Sequence, residues 1–358
     1  MESSLPSDNI NSFLSVFPMK KKDKYKWDIL NKPKNDEESL CNCIYYGTNK
    51  KTKKTLYFVK QIKIEFKKEN NDKLKHILKE AYFTFFLSKF KKYFPKKVKI
   101  KLSSDQKYLF LIFKGLKVSL NNYIKFDDND SQKYQNLIKE IIFQITFGLY
   151  ILHSKNIIHN DIKPSNILIN KYLEISICDF GSAIFKNENS HSYTLYYASP
   201  EFLINNSKID EKYDIWGLGV IMLELYCRKN LIFKKDDIKD KKGQINYILS
   251  EFGVNENYSI EELKNELNEN KKIKFNLNKK YLDKINDKDA VNLLNNLLVF
   301  NPKERFTAKE VLQSDYLKGF KEKNSFENEL KEMPFKYEDI SNNIIDHKKF
   351  VDFIEKLN

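Results

Sequence analysis

The sequence predicts an α+β protein in which a small β-rich lobe with one helix precedes a large, mainly helical lobe. Three observations carry this. Thr55–Ile62 and Tyr108–Phe113 are short runs of β-branched and aromatic residues bounded by polar ones, as strands are. Leu137, Ile138, Ile141, Ile142, Ile145, Leu149 and Leu152 form one apolar stripe at helical spacing. Asp214–Tyr226 is apolar nearly all round, which fits a helix buried in a large helical core.

The elements follow in order. Residues 1–35 carry serines, prolines and Lys20-Lys21-Lys22 without sustained periodicity, and read as a loosely ordered extension. Residues 36–113 form the β-rich lobe, its one helix marked by Leu74, Ile77, Leu78 and Ala81 and continued to Phe90. A link at 114–117 leads into the helical lobe, 118–320. Within it Lys234–Lys274 is charged and uneven, and reads as a surface insert, while Ala290–Leu298 and Thr307–Leu317 return to helical spacing. The tail, 321–358, ends in Phe350, Val351, Phe353, Ile354 and Leu357, a helix expected to dock on the large lobe.

Composition bounds the class. Hydrophobic residues at 41% and charged residues at 31% supply a core and exclude wholesale disorder. Four cysteines, two of them in Cys41-Asn42-Cys43, give neither a disulfide framework nor a zinc spacing, so a reducing compartment is expected. Met1-Glu2-Ser3-Ser4 has no secretory or myristoylation signal, and Ile141–Leu152 is short for a membrane span and carries polar residues. The expectation is an intracellular protein of cytoplasm or nucleus, without membrane insertion. The net charge of +14 invites a nucleic-acid reading. Against it, the lysines are scattered among acidic residues and asparagines, and only 9 glycines stand beside many lysines, isoleucines and phenylalanines. That is the signature of AT-rich codons, so the charge argues for solubility rather than for a nucleic-acid partner.

The chemistry lies in His159-Asn160-Asp161-Ile162-Lys163-Pro164-Ser165-Asn166, followed eighteen residues after Asp161 by Asp179-Phe180-Gly181. Phosphoryl transfer needs a carboxylate to take the proton of an attacking hydroxyl and a cation beside the moving phosphoryl. It also needs an amide oxygen and a second carboxylate to hold magnesium. The two strings supply these in order.

On these motifs the chain resembles the eukaryotic protein kinases of serine/threonine type, over about residues 36–320. The resemblance implies the bilobal kinase fold and the use of ATP and Mg2+. It makes Asp161 the catalytic aspartate and Lys163 its partner at the transferred phosphoryl, with Asn166 and Asp179 as magnesium ligands. Lys60, in Tyr57-Phe58-Val59-Lys60, sits where the phosphate-anchoring lysine belongs, with Glu80 as its ion-pair partner. Lys114 and Leu116 take the hinge positions against adenine, Phe113 that of the gatekeeper, and Leu168 the floor of the adenine site. Asp214 opens the buried helix, and Glu201 of Ser199-Pro200-Glu201 is expected to pair with Arg305. Thr194–Glu201 (TLYYASPE) and Cys178–Ala183 (CDFGSA) are similar to segments of the CMGC group, which holds the cyclin-dependent and glycogen synthase kinases. His159 reads as a packed core residue rather than a base.

The chain departs from the family at five places. Glu37–Ile44, the expected phosphate loop, has no glycine; Phe58 replaces an alanine beside adenine; Asn160 and Ala198 replace arginines; and Ser165 stands where base-preferring kinases carry glutamate. The function expected is a serine/threonine protein kinase acting on protein substrates, with a regulatory protein as a further partner. The alternative is a pseudokinase scaffold that binds partners and moves no phosphate.

Overall fold

The computed structural model describes residues 25–31, 41–49, 55–66, 71–90, 92–114, 118–122, 131–170, 172–189, 193–205, 209–229, 233–234, 237–254, 259–268, 277–320 and 347–357. It divides into two compact units, one of residues 1–117 with 332–358 and one of residues 118–331.

Among the described residues, the first unit is a five-stranded antiparallel sheet with two helices. Strands β1 (Tyr25–Asn31), β2 (Cys41–Asn49), β3 (Thr55–Lys63), β4 (Lys97–Leu102) and β5 (Tyr108–Lys114) lie in the order β1-β2-β3-β5-β4. β3 and β5 pair in the centre, with Lys60 opposite Leu111. Val59, Ile62, Leu109, Phe110 and Leu111 are fully buried, which is why these two strands read as unbroken apolar runs. β1 falls in the stretch expected to be loosely ordered. Its alternation of Tyr25, Trp27 and Ile29 with Lys26 and Asp28 was the available signal.

Helix α1 (Asn71–Leu87) buries Leu74, Ile77, Leu78, Ala81 and Tyr82. It stops at Leu87, and the apolar run to Phe90 continues as turns, with Phe90 N donating to Leu87 O at 2.9 Å. Tyr82, Phe86, Phe90 and Phe94 follow one another at ring-centroid distances of 6.5, 6.0 and 6.4 Å. The C-terminal helix, His347–Lys356, belongs to this unit and packs on α1 and β4. This corrects the expected docking on the large lobe. Phe350, Ile354 and Leu357 are buried, and the rings of Phe350 and Phe353 lie 5.4 Å from Phe66 and 6.4 Å from Tyr82. An apolar stripe states that a face is covered without naming its cover.

The second unit is mainly helical. α2 (Ser131–Ser154) and α4 (Lys212–Cys227) cross in its centre, joined by α3 (Pro200–Asn205), α5 (Lys241–Glu251), α6 (Ile260–Asn268), α7 (Lys279–Leu282), α8 (Lys288–Leu297) and α9 (Ala308–Leu312). α2 is longer than its stripe suggested. Among the described residues it is the one helix long and apolar enough to cross a membrane, yet 67% of that window is buried inside the protein, as befits a core helix. The stretch read as a surface insert is also corrected. Gln244, Ile245, Ile248 and Leu249 of α5 and Leu263 of α6 are buried, at helical spacing beneath a charged exterior.

Two of the ion pairs in this unit join elements far apart in the chain. Arg305 grips Glu201 with two hydrogen bonds of 2.8 Å and also donates to Lys212 O at 2.7 Å and Val299 O at 2.9 Å. Its side chain is 0% exposed. At the start of α8, Asp287 accepts from the amides of Asp289 and Ala290 and pairs with Lys139 of α2 at 2.8 Å. Burial raises the Asp287 carboxyl pKa, but Lys139 and the two amides outweigh it and hold the group below its ordinary value. The stabilisation is therefore present above the unfolded-state pKa of about 4 and lost as pH falls through the lower folded value. Asp287→Ala is expected to cost about 1–2 kcal/mol near neutral pH by urea unfolding, and less below pH 4. A cost independent of pH would refute the charge argument.

Candidate functional site

In the second unit a small hairpin sets the site. Strands β6 (Val118–Ser119), β8 (Ile167–Ile169) and β9 (Ile175–Ile177) form one sheet, with Ile167 opposite Ile177. β7 (Ile157–Ile158) pairs instead with β10 (Ile184–Phe185). Cys178 N donates to Asn166 O at 2.9 Å, so the hairpin register brings Asn166 and Asp179 to the same end. Short β-branched strands thus hold two loops, 159–166 and 178–183, side by side.

Asp214 anchors the first loop. It is 0% exposed. Its Oδ1 accepts from Asn160 N, and its Oδ2 accepts from His159 N and bonds His153 Nε2, each at 2.9 Å. The loop also lies against α4. A Cβ at Gly217 would sit 2.7 Å from Ile162 O, so only glycine permits this approach. His159 is buried, its Nε2 bonds Cys178 O at 3.0 Å, and its ring lies 5.1 Å from Phe180. It ties the two loops together as a core residue.

Asp161 is the convergence point. Thr194 Oγ1 donates to its Oδ1 at 2.7 Å, and Lys163 Nζ meets its Oδ2 at 2.7 Å. Asn166 Nδ2 donates to its Oδ2 and to its carbonyl, both at 2.8 Å. Lys163 also donates to Thr194 Oγ1 at 2.8 Å, closing the triangle. Asp179 is exposed and takes a left-handed backbone, φ 67°. A β-carbon residue there is strained, a cost that clusters at functional positions. Asn166 and Asp179 carry amide and carboxylate oxygens, the hard donors that magnesium takes, and Asp179 is exposed.

In the first unit, Lys60 Nζ pairs with Glu80 Oε1 at 2.6 Å, and both side chains are largely buried. Lys114 ends β5 and its amide donates to Lys96 O at 2.9 Å. Leu168, in the second unit, is half-buried on β8. Leu116, residues 37–40 and the side chain of Phe58 lie outside the described residues. Cys41–Ile44, read as part of the phosphate loop, belongs to β2. Residues 32–40, between β1 and β2, also hold no glycine.

Three contacts were not foreseen. His153 reaches Asp214 from the end of α2. Asn160 Nδ2 donates to Ser182 O at 3.0 Å, binding the 159–166 loop to the segment after Asp179. Tyr197 OH donates to the fully buried Glu224 at 3.1 Å.

The chain matches the family described as "Protein kinase domain" over residues 41–317. It is 34% identical over 194 residues to a protein of Gibberella zeae named mitogen-activated protein kinase HOG1, covering 52% of this chain and 53% of that one. A Neurospora crassa protein of the same name is 35% identical over 191 residues, covering 51% and 52%. One from Blastobotrys adeninivorans is 35% identical over 193 residues, covering 52% and 47%. The chain thus spans about half the length of the curated relatives it matches. A domain match over most of the chain, on the fold and loops described, means that the chain belongs to the protein kinase family.

Proposed function

We propose that the chain is a serine/threonine protein kinase that transfers the γ-phosphoryl group of ATP to a hydroxyl of a protein substrate. The observation that carries it is the convergence of Lys163, Thr194 and Asn166 on the Asp161 carboxylate. A carboxylate so held is oriented before any substrate arrives, which removes reorganisation from the reaction step. The substrate hydroxyl oxygen forms the new bond to the γ-phosphorus, the bond to the bridging oxygen breaks, and ADP leaves. Asp161 takes the hydroxyl proton, and Lys163 offsets charge on the moving phosphoryl. Both amide hydrogens of Asn166 are committed to Asp161, so its Oδ1 is the atom to face a cation, beside Asp179. Magnesium bound there supplies charge neutralisation at the phosphates. Lys60, steadied by Glu80, holds the nucleotide phosphates; Lys114, Leu116 and Leu168 are assigned to adenine. The substrates are proteins, a regulatory protein is a further partner, and the setting is intracellular, in cytoplasm or nucleus.

A second reading, the partner-binding pseudokinase, is favoured by the absence of glycine between β1 and β2, where backbone amides would otherwise approach phosphate. Magnesium-dependent transfer from ATP to generic protein substrates separates the two. The expected result is transfer by the wild type and none by a folded Asp179→Asn variant, which loses a charged ligand but no core volume. No transfer by the purified wild type favours the scaffold.

The same geometry bears on activation. Where an arginine would meet loop phosphate, Asn160 instead ties Ser182, and Thr194 is held by Asp161 and Lys163. Activity is expected to need no phosphate on Ser190, Ser192 or Tyr193. Phosphatase treatment, checked by mass spectrometry, should leave turnover within tenfold, about 1.4 kcal/mol on the barrier. A larger loss would mean that another basic group reads a loop phosphate.

A further inference from the structure

Thr194 occupies the position that the proposed reaction assigns to a substrate hydroxyl. Its Oγ1 donates to Asp161 Oδ1 at 2.7 Å and accepts from Lys163 Nζ at 2.8 Å. A hydroxyl oxygen has two lone pairs, so one is left to attack phosphorus when Lys163 takes the other. The residue is half-buried and extended, φ −103° and ψ 113°, at the start of the turn Leu195–Tyr197. Both of its flanks are anchored. Tyr193 lays its ring 5.1 Å from that of Phe202 on α3, which meets Tyr213 of α4 at 5.6 Å. Tyr197 N donates to Thr194 O at 3.0 Å, and Tyr197 OH bonds both carboxylate oxygens of the buried Glu224, at 3.1 and 3.2 Å. Packing on either side thus presents the hydroxyl to the base and to the lysine.

We propose that Thr194 is a self-modification site: the chain phosphorylates its own Thr194 within one molecule, and the product blocks the site. This rests on the kinase reading given above. In the step, Thr194 Oγ1 bonds to the γ-phosphorus of ATP, and the bond from that phosphorus to the β,γ-bridging oxygen breaks. The hydroxyl proton passes to Asp161, and ADP leaves. No second protein has to diffuse or dock, which is the advantage of an acceptor held in place. The new phosphate carries a charge of about −1.5 to −2 at neutral pH. Beside the Asp161 carboxylate it is a like charge, and its oxygens draw the Lys163 ammonium away from any substrate phosphoryl. An incoming hydroxyl then finds the carboxylate screened by a phosphate. Tyr193, one residue earlier, has its ring turned to Phe202, so the modification is expected on Thr194 and not on its neighbour.

The test takes the full chain, stripped of phosphate by a phosphatase that is then removed, and supplies Mg2+ and ATP with and without a generic protein substrate. Peptide mapping by mass spectrometry is expected to find phosphate on Thr194, approaching equimolar with the chain. Its rate of appearance should be unchanged by about tenfold dilution of the protein, as for a step within one molecule. Turnover of the generic substrate should fall in proportion to the modified fraction and return after a second phosphatase treatment. Thr194→Ser keeps a hydroxyl and should still be modified. Thr194→Val keeps the branched shape without the hydroxyl, and its progress curves should be straight, whatever their slope. Transfer to the generic substrate with Thr194 unmodified overturns this inference and leaves the kinase reading standing. Modification that slows on dilution overturns the step within one molecule, and full turnover by the modified protein overturns the block. No phosphate on Thr194 or on the substrate overturns the kinase reading, and this inference with it.

Discussion

A folded Asp161→Asn variant is expected to transfer phosphate about a hundred- to ten-thousandfold more slowly than the wild type, the range that one positioned base contributes. Asparagine keeps the size of the side chain and can still accept from Thr194. What disappears is the negative oxygen pair that holds the Lys163 ammonium at 2.7 Å and that, on the proposed function, takes the hydroxyl proton. The loss should fall on kcat rather than on ATP binding, because the role proposed for Asp161 is on the acceptor rather than on the purine. Equal melting temperatures for the two proteins would exclude misfolding. A folded variant within tenfold of the wild type would remove Asp161 from the chemistry and return the role of base to an open question.

The largest expected change in stability comes from the Arg305–Glu201 pair. Arg305→Met leaves Glu201 buried without its bidentate partner, together with the carbonyls of Lys212 and Val299 that the guanidinium now satisfies. The expected cost is about 3–5 kcal/mol by chemical denaturation. Replacing both members, Arg305→Met with Glu201→Leu, is expected to recover most of it, since no uncompensated charge remains. A double variant as unstable as the single one would show that the guanidinium's bonds to the two carbonyls, and not the ion pair, carry the stabilisation. The pair is then best understood as fixing where α3 sits relative to the 299–305 turn.

The legibility of this chain in its sequence follows from what each signal measures. α1 and α2 were readable because burial of one face imposes a helical period on apolar residues, and the central strands and α4 because burial on all sides leaves unbroken apolar runs. The candidate residues were readable because the His159–Asn166 and Asp179–Gly181 strings are local, and a hairpin joins them. The docking of Phe350 on the first unit was not readable, since an apolar stripe carries no address. α5 was missed because Lys241, Lys242 and Glu251 mask an inner face of Ile245, Ile248 and Leu249. The role of Asn160 was visible only as a missing arginine; that its amide bonds Ser182 O depends on a contact 22 positions away.

The docking of residues 347–357 on α1 and β4 has a consequence for how the protein is made. Residue 117 leaves the ribosome 230 positions before residue 347. At ~5–20 residues per second, that is a wait of roughly 10–45 s. Throughout it, Phe66, Tyr82 and the neighbouring surface of α1 lack the rings that finally cover them, while the residues of the 118–331 unit are synthesised in turn. The order of synthesis and the order of completion are thus reversed, with the first unit to emerge the last to close. A nascent chain in that state exposes an aromatic face beside a lysine-bearing edge strand, the kind of surface that chaperones bind. Chains stalled short of residue 347 should therefore be held by chaperones or aggregate through this unit.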